Sequence, residues 1–265
     1  MAALAGDDLR RAVAEVSWYH AIELPGGIVT PGRWDTRSSA GKLPLPVSLA
    51  GMRCLDVGTW DGFWAFEMER RGAAEVVAID VADASAWDWP EGATRPTLEA
   101  WETGGAGART GFDIAHEALG SKVRRLELSV YDVSPDGLGS FDFVLVGSLL
   151  RHLRDPVRAL SALRPVVRGR LLSADGFSIT LSLLRPFGPA ADLAGLDVPH
   201  WWSPNLRARR RLLEAAGFRV LRTGRPYFLK RGPGAERLGA NPRALFTGLL
   251  GLPQAWVLAE PAGER

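Results

Sequence analysis

The stretch Leu55–Ala73, LDVGTWDGFWAFEMERRGA, constrains the fold more than any other part of the chain. An apolar run ends on Asp56, Gly58 and Gly62 stand four apart, and FWAFEMERRG follows with Gly72 as a stop signal. This is the pattern of a strand, a glycine loop and a helix. Downstream the alternation continues. VVAIDV reads as a strand, FDIAHEALG as a helix, and VRRLELSVYDV and FDFVLVGSLL as strands. Asp155 and Pro156 open a further helix, as an N-cap followed by proline should. RGRLLSADG then reads as a strand, RARRRLLEAAGF as a helix, and FRVLRTG and QAWVLAEP as closing strands. Such alternation predicts an α/β fold with a Rossmann-like, doubly wound parallel sheet. In these sheets ligands bind at the carboxyl ends of the strands, so chemistry is expected there.

The glycine loop narrows the ligand. A P-loop needs a lysine after its last glycine, and here Phe63 follows Gly62. A dinucleotide fingerprint needs a glycine where Trp60 stands, so that backbone approaches a pyrophosphate. S-adenosylmethionine carries no phosphate and suits the loop. Asp56 can stabilise its ammonium group, directly or through water. Gly58 leaves room for the methionyl part, Asp80 at the end of the second strand can accept from both ribose hydroxyls, and Asp132 in VYDV can help read the adenine edge. Gly62, Val81, Val133 and Gly147 belong to the same expected cofactor site.

Outside this frame, residues 7–16 read as a short amphipathic helix. Residues 17–46 read as irregular, and residues 82–110, rich in Trp, Pro and Gly, as a loop insertion. No apolar run approaches the roughly 18 residues of a membrane helix. The N-terminus carries acids where a signal peptide needs a basic start, so a cytoplasmic location is expected. The lone cysteine, Cys54, excludes an internal disulfide and a cysteine-based metal site. The pI is about 9.0, yet the net charge is only +2 and just three of the 32 basic residues are lysines. That is no nucleic-acid footprint. The arginines of RARRRLL point in several directions around a helix and read as a solvated face.

DVGTWDGFWAFEMERRGA, VVAIDV, SVYDV and LLRHLRDPVRAL together resemble class I S-adenosylmethionine-dependent methyltransferases. More narrowly, they resemble a branch related to the bacterial tRNA wobble-uridine carboxymethyltransferases. WYHAIELPGGIVTPGRWD and the WDWP of the insertion are similar to that branch too, and the likeness covers most of residues 17–220. The resemblance implies a seven-stranded methyltransferase sheet whose last strand, QAWVLAEP, is reversed. It divides the chain into an N-terminal cap over the cofactor (1–46) and a methyltransferase domain with the insertion (47–265). It also makes Trp60, Trp34 and Arg37 candidates to line the cofactor, and Trp18 a candidate for the acceptor pocket. The tRNA enzymes carry tyrosine before the histidine of LLRHLRDP, where this chain has Arg151.

Methyl transfer to a hydroxyl needs alignment, exclusion of water and a base. His152, after the fourth strand, and His20, in the cap, are the candidate bases. Arg151, His200, Trp201 and Trp202 are the candidates for the acceptor pocket, beside Trp18. His116, mid-helix, reads as a packing residue, and no spacing suggests a metal site. Aromatic walls with a few polar groups, and a net charge of only +2, point to a small-molecule acceptor, such as a sugar or specialised metabolite, rather than RNA.

Overall fold

The structure is a computed structural model and describes residues 4–82, 86–88, 90, 110–193, 200–235 and 249–263. The insertion expected over 82–110 therefore lies outside the described residues, apart from 82, 86–88, 90 and 110.

The strands in chain order are β1 (Trp18–His20), β2 (Glu23–Leu24), β3 (Ile28–Val29), β4 (Gly32–Asp35), β5 (Arg53–Val57), β6 (Glu75–Asp80), β7 (Arg124–Glu127), β8 (Phe141–Gly147), β9 (Val167–Gly176), β10 (Ala191–Leu193), β11 (Trp202–Pro204), β12 (Phe218–Thr223), β13 (Tyr227–Arg231) and β14 (Leu252–Pro261). Seven of them give the order β7-β6-β5-β8-β9-β14-β12. β5 through β9 run parallel, and β14 is reversed between β9 and β12, as expected of QAWVLAEP. The sheet does not stop there. β14 pairs β12 through Val257–Pro261 and β13 through Leu252–Gln254. β13 then pairs β4, and β4 pairs β1. Residues 17–46, expected to be irregular, thus hold four short strands and the helix Arg37–Ala40. Two of those strands extend the main sheet.

Helices cover both faces of this sheet, and their boundaries follow local chemistry. The helix Gly111–Leu119 starts on a capping box between Thr110 and Asp113 and ends at Gly120. The helix Pro156–Leu163 is capped by Asp155, whose carboxylate accepts from the Arg158 N–H at 2.9 Å. Asn205 caps the helix Leu206–Ala215 in the same way. Successive strand residues alternate between two cores. One face gathers Cys54, Phe143, Leu145 and Leu172 with Trp64, Phe66, Phe112 and Trp256. The other gathers Leu55, Val57, Val144, Val146 and Leu171 with Leu160, Leu163 and Leu213. Leu9, Val13, Trp18, Ile22, Leu24 and Ile28 join the first core. The carboxyl ends of β5, β6 and β8 open together onto one cleft.

Candidate active site

β5 ends at Val57, and the chain turns through Gly58, at φ +74°, and Gly62, at φ +91°, into the helix Phe63–Arg70. Both values favour glycine. A Cβ on Gly62 would sit 2.5 Å from the Phe66 ring and 2.8 Å from Phe112, so this glycine is fixed by packing as well as by backbone. Trp60 sits between them at φ +51°, uncommon for a bulky residue. Its backbone N–H donates to Asp80 Oδ2 at 2.7 Å. Its ring meets those of Tyr19 and Trp87 at centroid distances of 5.5 and 5.3 Å. The three rings form a continuous aromatic wall along the cleft.

Asp80, at the end of β6, also accepts from the Val81 N–H at 2.9 Å. Burial raises its pKa, against the pull of those two N–H donors. Each carboxylate oxygen thus keeps acceptor capacity for a vicinal diol such as a ribose. Val57, Gly58, Ile79, Val81, Gly147 and the segment Leu128–Tyr131 line the same cleft. The fit to an adenosyl group is therefore good: an acid for the ribose, an apolar slot for the base, and a loop without side chain at Gly58.

Asp56 lies under the loop rather than on the cleft wall, 1% exposed. It accepts from Thr59 Oγ1 at 2.8 Å and from the Ala65 N–H. Burial pushes it up to about 7. Asp132 also differs from expectation. β7 ends at Glu127, Ser129 caps a 3₁₀ turn over Val130–Asp132, and Asp132 is exposed. The residues before it, Ser129 to Tyr131, take the cleft position instead, while Val133 is buried in the core. Trp18, Trp34 and Arg37 do not line the cleft. Trp18 packs in the core with its indole donating to the Val13 carbonyl at 2.9 Å. Trp34 sits on β4 in register with His20. Arg37 forms a double hydrogen bond with Asp35 and reaches Glu23.

On the acceptor side, His20, His152, His200 and Trp201 line the cleft with Tyr19 and Ser148. His20 is 6% exposed, and its Nδ1 meets the carboxylate of Asp61, which is 2% exposed. The other oxygen of Asp61 accepts from the backbone N–H groups of Tyr19 and His20, both at 2.8 Å. An acid in the glycine loop thereby clamps the start of the chain onto the cleft. The sequence holds both partners, but they are 41 residues apart and nothing local pairs them. Tyr19, pushed up to about 12 by burial, bonds Ser148, whose hydroxyl accepts from Gln254 at 2.9 Å. His152 lies on a 3₁₀ turn, its ring 6.2 Å from that of His200.

Arg151 stands behind this wall, and one guanidinium nitrogen donates to His200 Nδ1 at 2.9 Å. Burial and then the Arg151 charge push His200 down to about 3. Trp201 donates through its indole to the Asp88 carbonyl, and Tyr131 donates to the Asp88 carboxylate at 2.7 Å. These bonds hold residues 86–88 at the cleft. Trp202 turns away and donates to the Arg154 carbonyl at 3.1 Å. His116, as expected of a packing residue, stacks on Phe112 and bonds the Val123 carbonyl. Among the described residues no cluster of His, Cys, Asp and Glu forms a metal site. No described helix is long and apolar enough to cross a membrane.

A family model described as a methyltransferase domain matches residues 40–223. No curated protein matches the sequence. Among solved structures, the N-terminal domain of EvdMO1, crystallised with SAH and D-fucose, is 16% identical with a TM-score of 0.55, covering 99% of this chain and 100% of that one. A 1,6-didemethyltoxoflavin-N1-methyltransferase from Burkholderia thailandensis is 17% identical at a TM-score of 0.47, covering 81% and 72%. The magnesium protoporphyrin IX methyltransferase of Synechocystis PCC 6803 is 15% identical at 0.49, covering 85% and 78%.

Proposed function

This chain belongs to the methyltransferase-domain family as an S-adenosylmethionine-dependent methyltransferase, and we propose that its acceptor is a hydroxyl of a small molecule, a sugar or a specialised metabolite. The observation that carries the reading is the buried His20–Asp61 pair on the wall of the cleft. A carboxylate only accepts hydrogen bonds, so it fixes the imidazole proton on Nδ1 and leaves Nε2 as a base. That is the arrangement of an oriented general base.

When bound, the cofactor supplies a methyl group activated on a sulfonium. Asp80 would hold the ribose, Ser129 to Tyr131 would wall the adenine, and Gly58 would admit the methionyl part. The aromatic wall of Tyr19, Trp60 and Trp87 excludes water and offers a face to the acceptor. The methyl group would pass to the acceptor oxygen, and the cofactor would leave as a neutral thioether that keeps the carbon–sulfur electron pair. The hydroxyl proton passes to Nε2 of His20. His152 is the second histidine of the cleft and the alternative base. A sugar acceptor accords with the presence of D-fucose in the EvdMO1 domain structure, which covers 99% of this chain. A cytoplasmic setting belongs to the same reading.

The test is turnover with a panel of monosaccharides and phenols, read as S-adenosylhomocysteine formed. His20→Gln should lower kcat by roughly 10²–10⁴-fold while leaving the affinity for S-adenosylhomocysteine within about twofold. Asp61→Asn should lower kcat by a smaller factor. Equal turnover in His20→Gln would move the base to His152. Stoichiometric methyl label in one tRNA position would instead favour the wobble-uridine branch. Cofactor binding without turnover on any acceptor pool would point to a catalytically silent protein.

A further inference from the structure

Two histidines of the cleft are locked in opposite tautomers, and each lock follows from what its partner can do. Asp61 is an acceptor, so His20 carries its proton on Nδ1 and shows a bare Nε2. Arg151 is a donor without acceptor capacity, so His200 must accept at Nδ1 and carry its proton on Nε2. The partner of that Nε2 among the described residues is Ser203 Oγ at 3.5 Å, the outer limit of a hydrogen bond. A better acceptor entering the cleft would take it. The two rings are linked around the acceptor side. Tyr19 lies edge-on to His20 at 4.7 Å, and Arg151, which holds His200, acts electrostatically on the Tyr19 hydroxyl.

We propose that His200, set by Arg151, is a fixed hydrogen-bond donor that recognises a second oxygen on the acceptor, close to the hydroxyl whose proton His20 removes. The cleft then selects polyols and hydroxylated rings with adjacent oxygens over simple alcohols. This rests on the small-molecule reading above and narrows its substrate class. Arg151 is a positioning residue here and His200 a specificity residue, neither being the base. The half-buried, neutral character of His200, beside the Arg151 charge, keeps the donor in place through mildly acidic pH.

The experiment has two readouts. First, long-range proton–nitrogen NMR on protein labelled with ¹⁵N-histidine, with signals assigned by His→Gln variants, reports the tautomers at pH 6–8. Nδ1–H on His20 with Nε2–H on His200 is expected. Either ring reversed, or either doubly protonated near neutral pH, overturns the inference. Second, D-fucose, D-xylose and catechol are each compared with a partner lacking one adjacent oxygen, phenol in the case of catechol. Wild-type enzyme should prefer the complete acceptor at least about tenfold in kcat/KM, the scale of one hydrogen bond to a buried donor. In His200→Phe that preference should collapse to within about twofold while cofactor affinity holds. Arg151→Met, which frees Nδ1, should weaken the preference and let His200 titrate nearer the ordinary histidine range. An undiminished preference in His200→Phe overturns the proposal. Reversed tautomers in an enzyme that methylates these hydroxyls remove this inference alone. Methylation of tRNA and of no hydroxyl probe removes the reading beneath it, whatever the tautomers show.

Discussion

At the scale of single residues, the acids at the ends of β5 and β6 show how one residue type takes two roles. Asp56 and Asp80 are both legible as strand-end acids, because each closes an apolar run before a turn. What the sequence does not carry is their depth. Asp80 faces the cleft, whereas Asp56 is roofed by Thr59 and the first turn of the next helix. The His20–Asp61 contact is equally hidden, since it joins segments that only the completed sheet brings together. Depth has a measurable consequence at Asp56, held up at about 7 by burial. A carboxyl whose pKa is raised in the folded state holds its proton longer there than in the unfolded chain. Stability is therefore lost as pH rises from the ordinary carboxyl range toward 7. Asp56→Asn removes that linkage. In cofactor-free protein, urea unfolding should show the variant gaining about 2–3 kcal/mol relative to wild type between pH 5 and pH 8. A constant difference across that range would show that Asp56 does not titrate in this window.

At the scale of elements, the loop between β5 and the helix Phe63–Arg70 is the part most fully written in the sequence. Its glycines are there because the backbone turns through positive φ where a side chain would also collide. β5, β6, β8, β9 and β14 were readable because central strands are apolar on both faces. β1 to β4 were not, because two to four residues are too few to show a period, and glycines and prolines among them look like loop. β7 is shorter than its sequence suggests: VRRLELSVYDV stays strand-like to its end, but Ser129 caps a tight turn and takes Asp132 off the strand. Gly62 gives the sharpest test of the loop. Gly62→Ala meets both an unfavourable φ and two aromatic rings, and should cost roughly 2–4 kcal/mol. Gly41→Ala has open space and a helical φ of −75°, and should change stability by less than about 1 kcal/mol. Thermal unfolding of the two variants side by side checks this, and equal melting temperatures would mean that the loop relaxes freely.

At the scale of the whole molecule, the site is completed by the part of the chain that reads least like a fold. β14 is long enough to seat β12 on one stretch and β13 on the next, and through β13 it carries β4 and β1. His20 and Tyr19 thereby reach the mouth of a sheet built almost entirely from later residues. Leu9, Val13, Trp18, Ile22, Leu24 and Ile28 are buried in the same core as Trp64, Phe66, Phe112 and Trp256. Each buried side chain of this size contributes roughly 1.5–3 kcal/mol, so the six together match the 5–15 kcal/mol that holds a typical domain folded. The N-terminal segment should therefore not behave as a detachable lid. Urea unfolding followed by tryptophan fluorescence and by far-ultraviolet circular dichroism should give one coincident transition. A chain lacking residues 1–31 should be unfolded at 25 °C and fail to bind S-adenosylhomocysteine. Two separated transitions, or a truncated chain that still binds the cofactor product, would show instead that the later residues fold alone and that the early strands dock onto a finished sheet.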